Sequence, residues 1–119
     1  MEGQLRIIFP AVLLVTFVLA CGNKESSRTP GRISDQALVI DVRTDAEFKS
    51  GHIKRAINIP FDEIGSRINS VTTEKNREIV LYCRSGRRSG IALKTLKEIG
   101  YTRLQNAGGY EQFRKRLGE

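Results

Sequence analysis

The chain has 119 residues, of which 39% are hydrophobic and 28% are charged, so it has room for one small globular domain with a single core. The count of 20 Lys and Arg against 13 Asp and Glu gives a formal net charge of +7. The basic residues are not interleaved with aromatic side chains and form no repeat, which argues against binding to nucleic acid. Attraction of small anions, or of an anionic lipid surface, accounts for the charge equally well.

The N-terminus has the pattern of an export signal. Arg6 precedes an apolar run over residues 7–19, which is shorter than the roughly 20 residues that a membrane-spanning helix needs and suits a signal peptide. The run ends in Leu19-Ala20-Cys21, which resembles a bacterial lipobox, whose cysteine becomes the lipid-modified first residue. We therefore predict a signal peptide over residues 1–20 and an exported lipoprotein of the periplasm or cell envelope, anchored to the membrane through Cys21. A signal that is cleaved without lipidation, or an uncleaved anchor, stays open.

Residues 21–31 are predicted to be the lipidated cysteine and a flexible tether. From Gly22 the sequence GNKESSRTPG is polar, lacks periodicity and contains a proline. The folded domain is therefore predicted over residues 32–119. If Cys21 carries lipid, Cys83 is the only thiol of the mature protein, and an oxidising exterior cannot lock it in an internal disulfide.

Strand and helix signals alternate along the first half of the domain. Residues 37–41 form an apolar run suited to a buried parallel strand. Thr44 can cap a short helix that Gly51 ends. Residues 56–59 predict a second strand, and Pro60 is placed to open another helix. That helix is predicted to bury three apolar side chains: Phe61, Ile64 and Ile68.

The second half continues the same alternation. Residues 78–82 predict a central strand that leads into Cys83, and a helix with Gly100 at its end follows. The apolar residues of that helix are Ile91, Ala92, Leu93, Leu96 and Ile99. Residues 103–106 predict a last strand, and the last helix has an apolar face of Tyr110, Phe113 and Leu117. The order predicts an α/β fold with a small parallel sheet flanked by helices, and ligands of such sheets bind at the C-terminal strand ends, where Cys83 lies.

The segment YCRSGRRSG, residues 82–90, has the strongest chemical signal. A loop with these glycines can curl so that successive backbone N–H groups point at one spot above the cysteine sulfur. The amides, the start of the next helix and the arginines all favour an anion there. The same field favours Cys83 as a thiolate, the nucleophilic form. The segment therefore predicts a site for cysteine attack on a small oxyanion.

The loop and three other motifs resemble the rhodanese family of sulfurtransferases. From Cys83 to Arg88 the sequence reads C-x-x-x-x-R, one residue shorter than the C-x5-R loop of cysteine phosphatases, and it is similar to the rhodanese loop that holds a persulfide. Residues 39–48 resemble the family's D-V-R-x-x-x-E-[FY] motif, residues 51–60 its G-H-I-x-x-A-x-N-I-P motif, and residues 106–109 its Gly-Gly turn before the last helix. The resemblance covers roughly residues 33–117, and its nearest likeness is to small secreted rhodaneses of the bacterial phage-shock type.

This resemblance implies a rhodanese-like fold and a double-displacement reaction. Cys83 takes a sulfane sulfur from thiosulfate or a similar anionic donor, and a thiol or cyanide acceptor removes it. The resemblance further implies a substrate-binding loop made of Arg84, Ser85, Gly86, Arg87 and Arg88. Its backbone N–H groups would hold the persulfide, with the Arg84 and Arg87 side chains at the mouth of the pocket and Arg88 bracing the loop. We expect the Ser85 hydroxyl to donate a hydrogen bond to the sulfur.

Asp41 and Arg43 are expected to support the site. They lie at the C-terminal end of a strand, so they could face the pocket, whereas the resemblance implies that they tie loops together, with Asp41 the more able of the two to influence the site. Arg43 and Glu47 are four residues apart at the predicted helix and could pair. His52 is expected to stabilise a turn rather than to act as a base.

Two other functions stay open at this point. One is a sulfur-carrier or binding module that delivers the persulfide to a partner, and the other is a phosphatase- or arsenate-reductase-like cysteine enzyme. We predict no metal site, because one histidine and one usable cysteine cannot supply the usual zinc ligands, and no cofactor. A domain of this size could work as a monomer.

Overall fold

The computed structural model describes Gly3 and residues 32–119. The predictions of a signal peptide, of lipidation at Cys21 and of a tether fall on residues 1–31, which apart from Gly3 lie outside the described residues. Within the described part of the chain, no helix is long and apolar enough to cross a membrane.

Within residues 32–119, four parallel strands form one sheet in the order β2-β1-β3-β4. The strands are β1 (Leu38–Asp41), β2 (Ile57–Asn58), β3 (Glu78–Cys83) and β4 (Arg103–Gly109). Parallel strands place all four C-terminal ends at the same edge of the sheet. The last residues of the strands therefore lie along this edge: Asp41, Asn58, Cys83 and Gly109. The predicted α/β fold with a small parallel sheet is confirmed.

Helices cover both faces of this sheet. They are α1 (Asp45–Lys49), α2 (Ile64–Arg67, followed by a 3-10 turn at Ile68–Ser70), α3 (Arg87–Glu98) and α4 (Tyr110–Leu117). Side chains alternate between the two faces along β3. Ile79, Leu81 and Cys83 pack in one core with α2 and α3, and Val80 and Tyr82 pack in the other core, which contains Phe113 of α4.

The first helix begins as the sequence predicts. Thr44 accepts a hydrogen bond from the backbone of Glu47, and the Glu47 side chain accepts one from the backbone of Thr44, so the two form a capping box. Gly51 follows the helix with a φ of 143°, a conformation that glycine adopts readily.

The helix predicted from Pro60 begins later than expected. Pro60 opens a turn in which Phe61 donates its N–H to the carbonyl of Val42 at 3.0 Å, so this segment is fastened to the end of β1. Regular α-helix starts only at Ile64, which is buried. Ile68 is buried as predicted, whereas Phe61 is only partly buried.

The last strand runs further than predicted. β4 continues through Gly109, and α4 begins at Tyr110 without a separate turn. The pairing with β3 skips one residue, since Leu81 pairs with Asn106 and Tyr82 pairs with Gly108. Ala107 is therefore the extra residue of a β-bulge, a feature that bends a strand and changes the direction of its side chains.

Candidate active site

Cys83 ends the central strand β3 and lies just before the start of α3. The residue is free, and 0% of its surface is exposed. Gly86 occupies the N-cap position of α3 with a left-handed φ of 95°, which a glycine adopts without strain. α3 begins at Arg87, earlier than the apolar residues from Ile91 predict, so the loop proper comprises only residues 84–86.

Hydrogen-bond donors surround the Cys83 sulfur. The backbone N–H of Gly86 donates to Sγ at 2.9 Å, and the Ser89 Oγ lies 3.6 Å from Sγ. Burial raises the pKa of the Cys83 thiol, but hydrogen bonds from the Ser89 hydroxyl and from the backbone of Ser89, Ser85 and Gly86 outweigh it. The net effect holds the pKa of Cys83 below its ordinary value, because these donors stabilise the thiolate.

The hydroxyl at the sulfur belongs to Ser89, which is not among the residues predicted for the site. Ser85 contributes its backbone N–H instead of the side-chain hydrogen bond that we expected. Ser89 is fully buried in the first turn of α3. The spacing in the sequence could have indicated Ser89. It follows Gly86, the N-cap of α3, by three residues, so the two lie on the same helical turn.

A second residue missing from the predicted site, Asn106 of β4, contacts the loop. Its Oδ1 accepts a hydrogen bond from Ser89 Oγ at 2.7 Å, and its Nδ2 donates to the carbonyl of Gly86 at 3.0 Å. The backbone N–H of Gly108 also donates to Oδ1, at 2.9 Å. The bulge at Ala107 lies between these contacts along the strand.

Arg88 is paired with Glu47, a residue for which the sequence predicts a different partner. Its two guanidinium nitrogens donate to the two carboxylate oxygens of Glu47, at 2.7 and 3.0 Å. Chiefly because of this hydrogen bond with Arg88, the pKa of Glu47 falls to about 2. The expected pair between Arg43 and Glu47 is wrong, since Arg43 is bound to Asp41 instead.

Arg84 and Arg87 are both exposed at the loop. Neither forms a salt bridge with another described residue, whereas Arg88 is paired. No carboxylate of the described residues neutralises these two guanidinium groups, and their binding of an anion at the mouth of the site stays a prediction.

Asp41 and Arg43 form a buried structural pair. The guanidinium of Arg43 donates to both carboxylate oxygens of Asp41 and to the carbonyl of Gly51, at distances of 2.6 to 3.0 Å. The Tyr82 hydroxyl donates to Asp41 Oδ2 at 2.8 Å and accepts the N–H of Ile53 at 3.1 Å. This network ties the C-terminal ends of β1 and β3 to the segment after α1, which matches the loop-tying role expected for the pair.

His52 stabilises a turn in the same region. Its Nδ1 is 2.8 Å from the carbonyl oxygen of Phe48, and its ring stacks on the Phe48 ring at 3.7 Å between centroids. Over residues 32–119 and Gly3, no group of three or more His, Cys, Asp or Glu residues is arranged to hold a metal ion.

Comparisons with known proteins agree with this geometry. A model of the rhodanese-like domain matches residues 17–116. Thiosulfate sulfurtransferase PspE of Escherichia coli is 44% identical over 70 residues, which are 59% of this chain and 67% of that protein. A sulfurtransferase of Allochromatium vinosum is 38% identical over 76 residues, covering 64% of this chain and 69% of that protein. The chain thus spans about two thirds of the length of these two relatives.

Solved structures show the same similarity in three dimensions. A rhodanese with anions from E. coli superposes with a TM-score of 0.62 and 41% sequence identity, over 64% of this chain and 89% of that one. Similarity to sulfurtransferases supports sulfur transfer as the general chemistry. Because the family match extends over most of its length, this chain belongs to the rhodanese-like domain family.

Proposed function

We propose that this protein moves a sulfane sulfur from thiosulfate, or a similar small anionic donor, to a thiol or cyanide acceptor through a persulfide on Cys83. The observation that carries the proposal is the set of donors around the Cys83 sulfur. The Gly86 N–H at 2.9 Å and the neighbouring Ser85 and Ser89 groups lower the pKa of the thiol despite its burial. The same groups can hold the negative charge of a persulfide, because they are fixed by the start of α3.

The surroundings of the loop suit a small anion. Arg84 and Arg87 are exposed and unpaired among the described residues, and the amino-terminal end of the twelve-residue helix α3 faces the sulfur. Positive charge and a helix N-terminus attract an oxyanion. Since Cys83 itself is fully buried under the loop, the geometry favours a donor with a small reacting end over a bulky one.

The reaction follows as two displacements. The Cys83 thiolate attacks the outer sulfur of thiosulfate, the S–S bond of the donor breaks, and sulfite leaves with its electron pair. A thiolate or cyanide then attacks the outer sulfur of the persulfide and regenerates the Cys83 thiolate. Backbone N–H groups of the loop stabilise the charge on sulfur in both steps.

The first half-reaction can be measured directly. The purified full chain is incubated with thiosulfate, and its intact mass and the released sulfite are determined, with Cys83→Ser as the control. We expect one added sulfur atom on Cys83 and a matching amount of sulfite, with neither in the control. Absence of both with the unaltered chain would refute thiosulfate as the donor, and aryl phosphate and arsenate would then be tested for turnover that depends on Cys83.

We also propose that the protein is exported and anchored to the membrane by a lipid on Cys21. The support is the N-terminal sequence alone, with its apolar run over residues 7–19 and the lipobox-like segment that ends in Cys21. In a bacterial host, the unaltered chain should fractionate with membranes and carry a lipid mass on an N-terminal Cys21, whereas Cys21→Ser should not be lipidated. An unmodified N-terminus at another residue would contradict this proposal.

A further inference from the structure

Three hydrogen-bond acceptors surround the single proton of the Ser89 hydroxyl. Its Oγ is 2.7 Å from Asn106 Oδ1, 3.0 Å from the carbonyl oxygen of Gly86 and 3.6 Å from Cys83 Sγ. A hydroxyl group has only one proton to donate. The partner that receives it therefore decides whether Ser89 stabilises negative charge on the sulfur.

Other donors already occupy the carbonyl of Gly86. It accepts the N–H of Gly90 at 3.0 Å, which is the first hydrogen bond of α3, and the Nδ2–H of Asn106 at 3.0 Å. These two donors fill both lone pairs of a carbonyl oxygen. Two acceptors therefore remain for the Ser89 hydroxyl proton: Asn106 Oδ1 and the Cys83 sulfur.

The orientation of the Asn106 carboxamide is fixed by its neighbours. Its Oδ1 faces the N–H of Gly108 at 2.9 Å, and its Nδ2 faces the carbonyl of Gly86, so a flipped amide would place like groups together at both ends. The short contact of 2.7 Å then makes Oδ1 the preferred acceptor of the Ser89 proton while the sulfur is neutral. A charged sulfur competes better, because hydrogen bonds to ionised acceptors are stronger.

We propose that Asn106 is a positioning residue for Cys83. Asn106 holds the Gly86 carbonyl in place, and its Oδ1 accepts the hydrogen bond of the Ser89 hydroxyl until the sulfur becomes negative. The inference rests on the proposed function only in taking Cys83 as the reacting atom. Asn106 acts through Ser89 and Gly86 and does not itself touch the sulfur.

Arg88 and Glu47 form a charged pair near the sulfur, and neither of them titrates in the range of the test. Arg88 faces Cys83, and its pKa is raised chiefly by its hydrogen bond with Glu47. The pKa of Glu47 is about 2. Beyond them, the buried Asp41–Arg43 pair lies at the end of β1. A change in the pH profile of Cys83 alkylation between variants therefore reports the groups that were changed.

The test replaces Asn106 by aspartate in two backgrounds. Asn106→Asp retains an oxygen acceptor for Ser89, gives it a negative charge and removes the donor to Gly86. The Ser89 hydroxyl therefore continues to donate to residue 106 rather than to the sulfur. We expect alkylation of Cys83 by iodoacetamide at neutral pH to slow about tenfold, with its pH midpoint moved upward. In the Ser89→Ala background, where no hydroxyl proton exists, the same substitution should slow alkylation less than about threefold.

The measurement uses the full chain, with alkylation read on the peptide that contains Cys83 so that Cys21 does not contribute. Gln105→Glu controls for the change in net charge, because it adds a negative charge to the same strand on the opposite face of the sheet; it should keep the midpoint of the unaltered chain. Asn106 is exposed and aspartate has nearly the same shape, so we expect Asn106→Asp to fold with and without Ser89→Ala. Urea unfolding of each variant checks this.

Three results would overturn the role of Asn106: an unchanged midpoint in Asn106→Asp, equal slowing with and without Ser89, or equal slowing in Gln105→Glu. None of these readings requires sulfur transfer. If Cys83 takes no sulfur from thiosulfate but the alkylation pattern is as expected, the proposed function fails while the role of Asn106 stands.

Discussion

Replacing Gly109 by alanine should disturb the loop around Cys83 through a single steric contact. A Cβ atom at Gly109 would lie 2.6 Å from the carbonyl oxygen of Arg84, closer than such atoms approach in proteins. The backbone of Gly109, with φ −86° and ψ 149°, is one that alanine also adopts, so the substitution introduces no backbone strain. The clash is relieved only if the Arg84 carbonyl moves by about half an ångström or more. The moving group is part of the planar peptide between Arg84 and Ser85.

This peptide connects the clash to the chemistry. Its other end is the N–H of Ser85, one of the groups that lower the pKa of the Cys83 thiol. Tilting the carbonyl therefore turns a sulfur-facing donor away. We expect Gly109→Ala to lose about 1–3 kcal/mol of unfolding free energy from overpacking. It should also slow the formation of the persulfide by roughly tenfold to a hundredfold, since one preorganised donor is displaced.

Gly108→Ala is the matched control. Gly108 has a left-handed φ of 85°, and the nearest atom to a Cβ there is the end of the Gln112 side chain at 3.9 Å. Alanine at this position should cost about 1–2 kcal/mol of backbone strain, and its Cβ would meet no atom of the loop. Urea unfolding and the thiosulfate half-reaction, measured on both variants, separate the two effects. If Gly109→Ala kept the persulfide rate of Gly108→Ala, the argument from the Arg84 carbonyl would be refuted.

Three further predictions concern charges and buried hydrogen bonds. Because the pKa of Glu47 falls from its ordinary 4.5 to about 2, the pair with Arg88 stabilises the fold above pH 4.5 and this contribution is lost as the pH falls towards 2. Glu47→Gln should therefore be less stable than the unaltered chain by about 1–2 kcal/mol at pH 6 and equally stable at pH 2 in urea unfolding; a difference independent of pH would contradict this. Tyr82→Phe removes a fully buried hydroxyl bound to Asp41 and should cost about 1–3 kcal/mol of unfolding free energy, so an unchanged urea midpoint would count against the network. Arg84→Ala should raise the thiosulfate concentration for half-maximal persulfide formation about threefold to tenfold at low salt and less at high salt, and unchanged donor kinetics would exclude Arg84 from donor binding.

Local signals predicted much of the fold. Thr44 and Glu47 form their capping box within one turn of helix, and Gly100 ends α3 next to the residues that it caps. Such features depend on neighbours in the sequence, so the sequence shows both partners. The start of α2 was predicted wrongly because Phe61, which follows Pro60, bonds to Val42, and that contact depends on how the chain returns to the sheet.

The site was predictable only where one segment contains it. Residues 82–90 alone indicate a reactive cysteine and a loop with exposed arginines. The partners of the loop do not follow from this segment, because Glu47 is 41 residues from Arg88 and Asn106 is 17 residues from Ser89. The contact of Asn106 with the loop also depends on the bulge at Ala107, which no local sequence pattern indicated. A single sequence gives no register for β3 and β4, and the register decides which side chain faces the loop.

The bulge at Ala107 has a consequence for how molecules of this protein meet each other in concentrated solution. β4 is an edge strand of 7 residues, and a flat edge of that length is a template on which a second chain can add a strand and start aggregation. The bulge interrupts the regular row of N–H and C=O groups, and the exposed Arg103 places a charge at its beginning. The opposite edge, β2, has only 2 residues. Both edges of the described sheet are thereby poor templates, so the irregularity that brings Asn106 to the loop also makes the addition of a foreign strand to β4 less favourable.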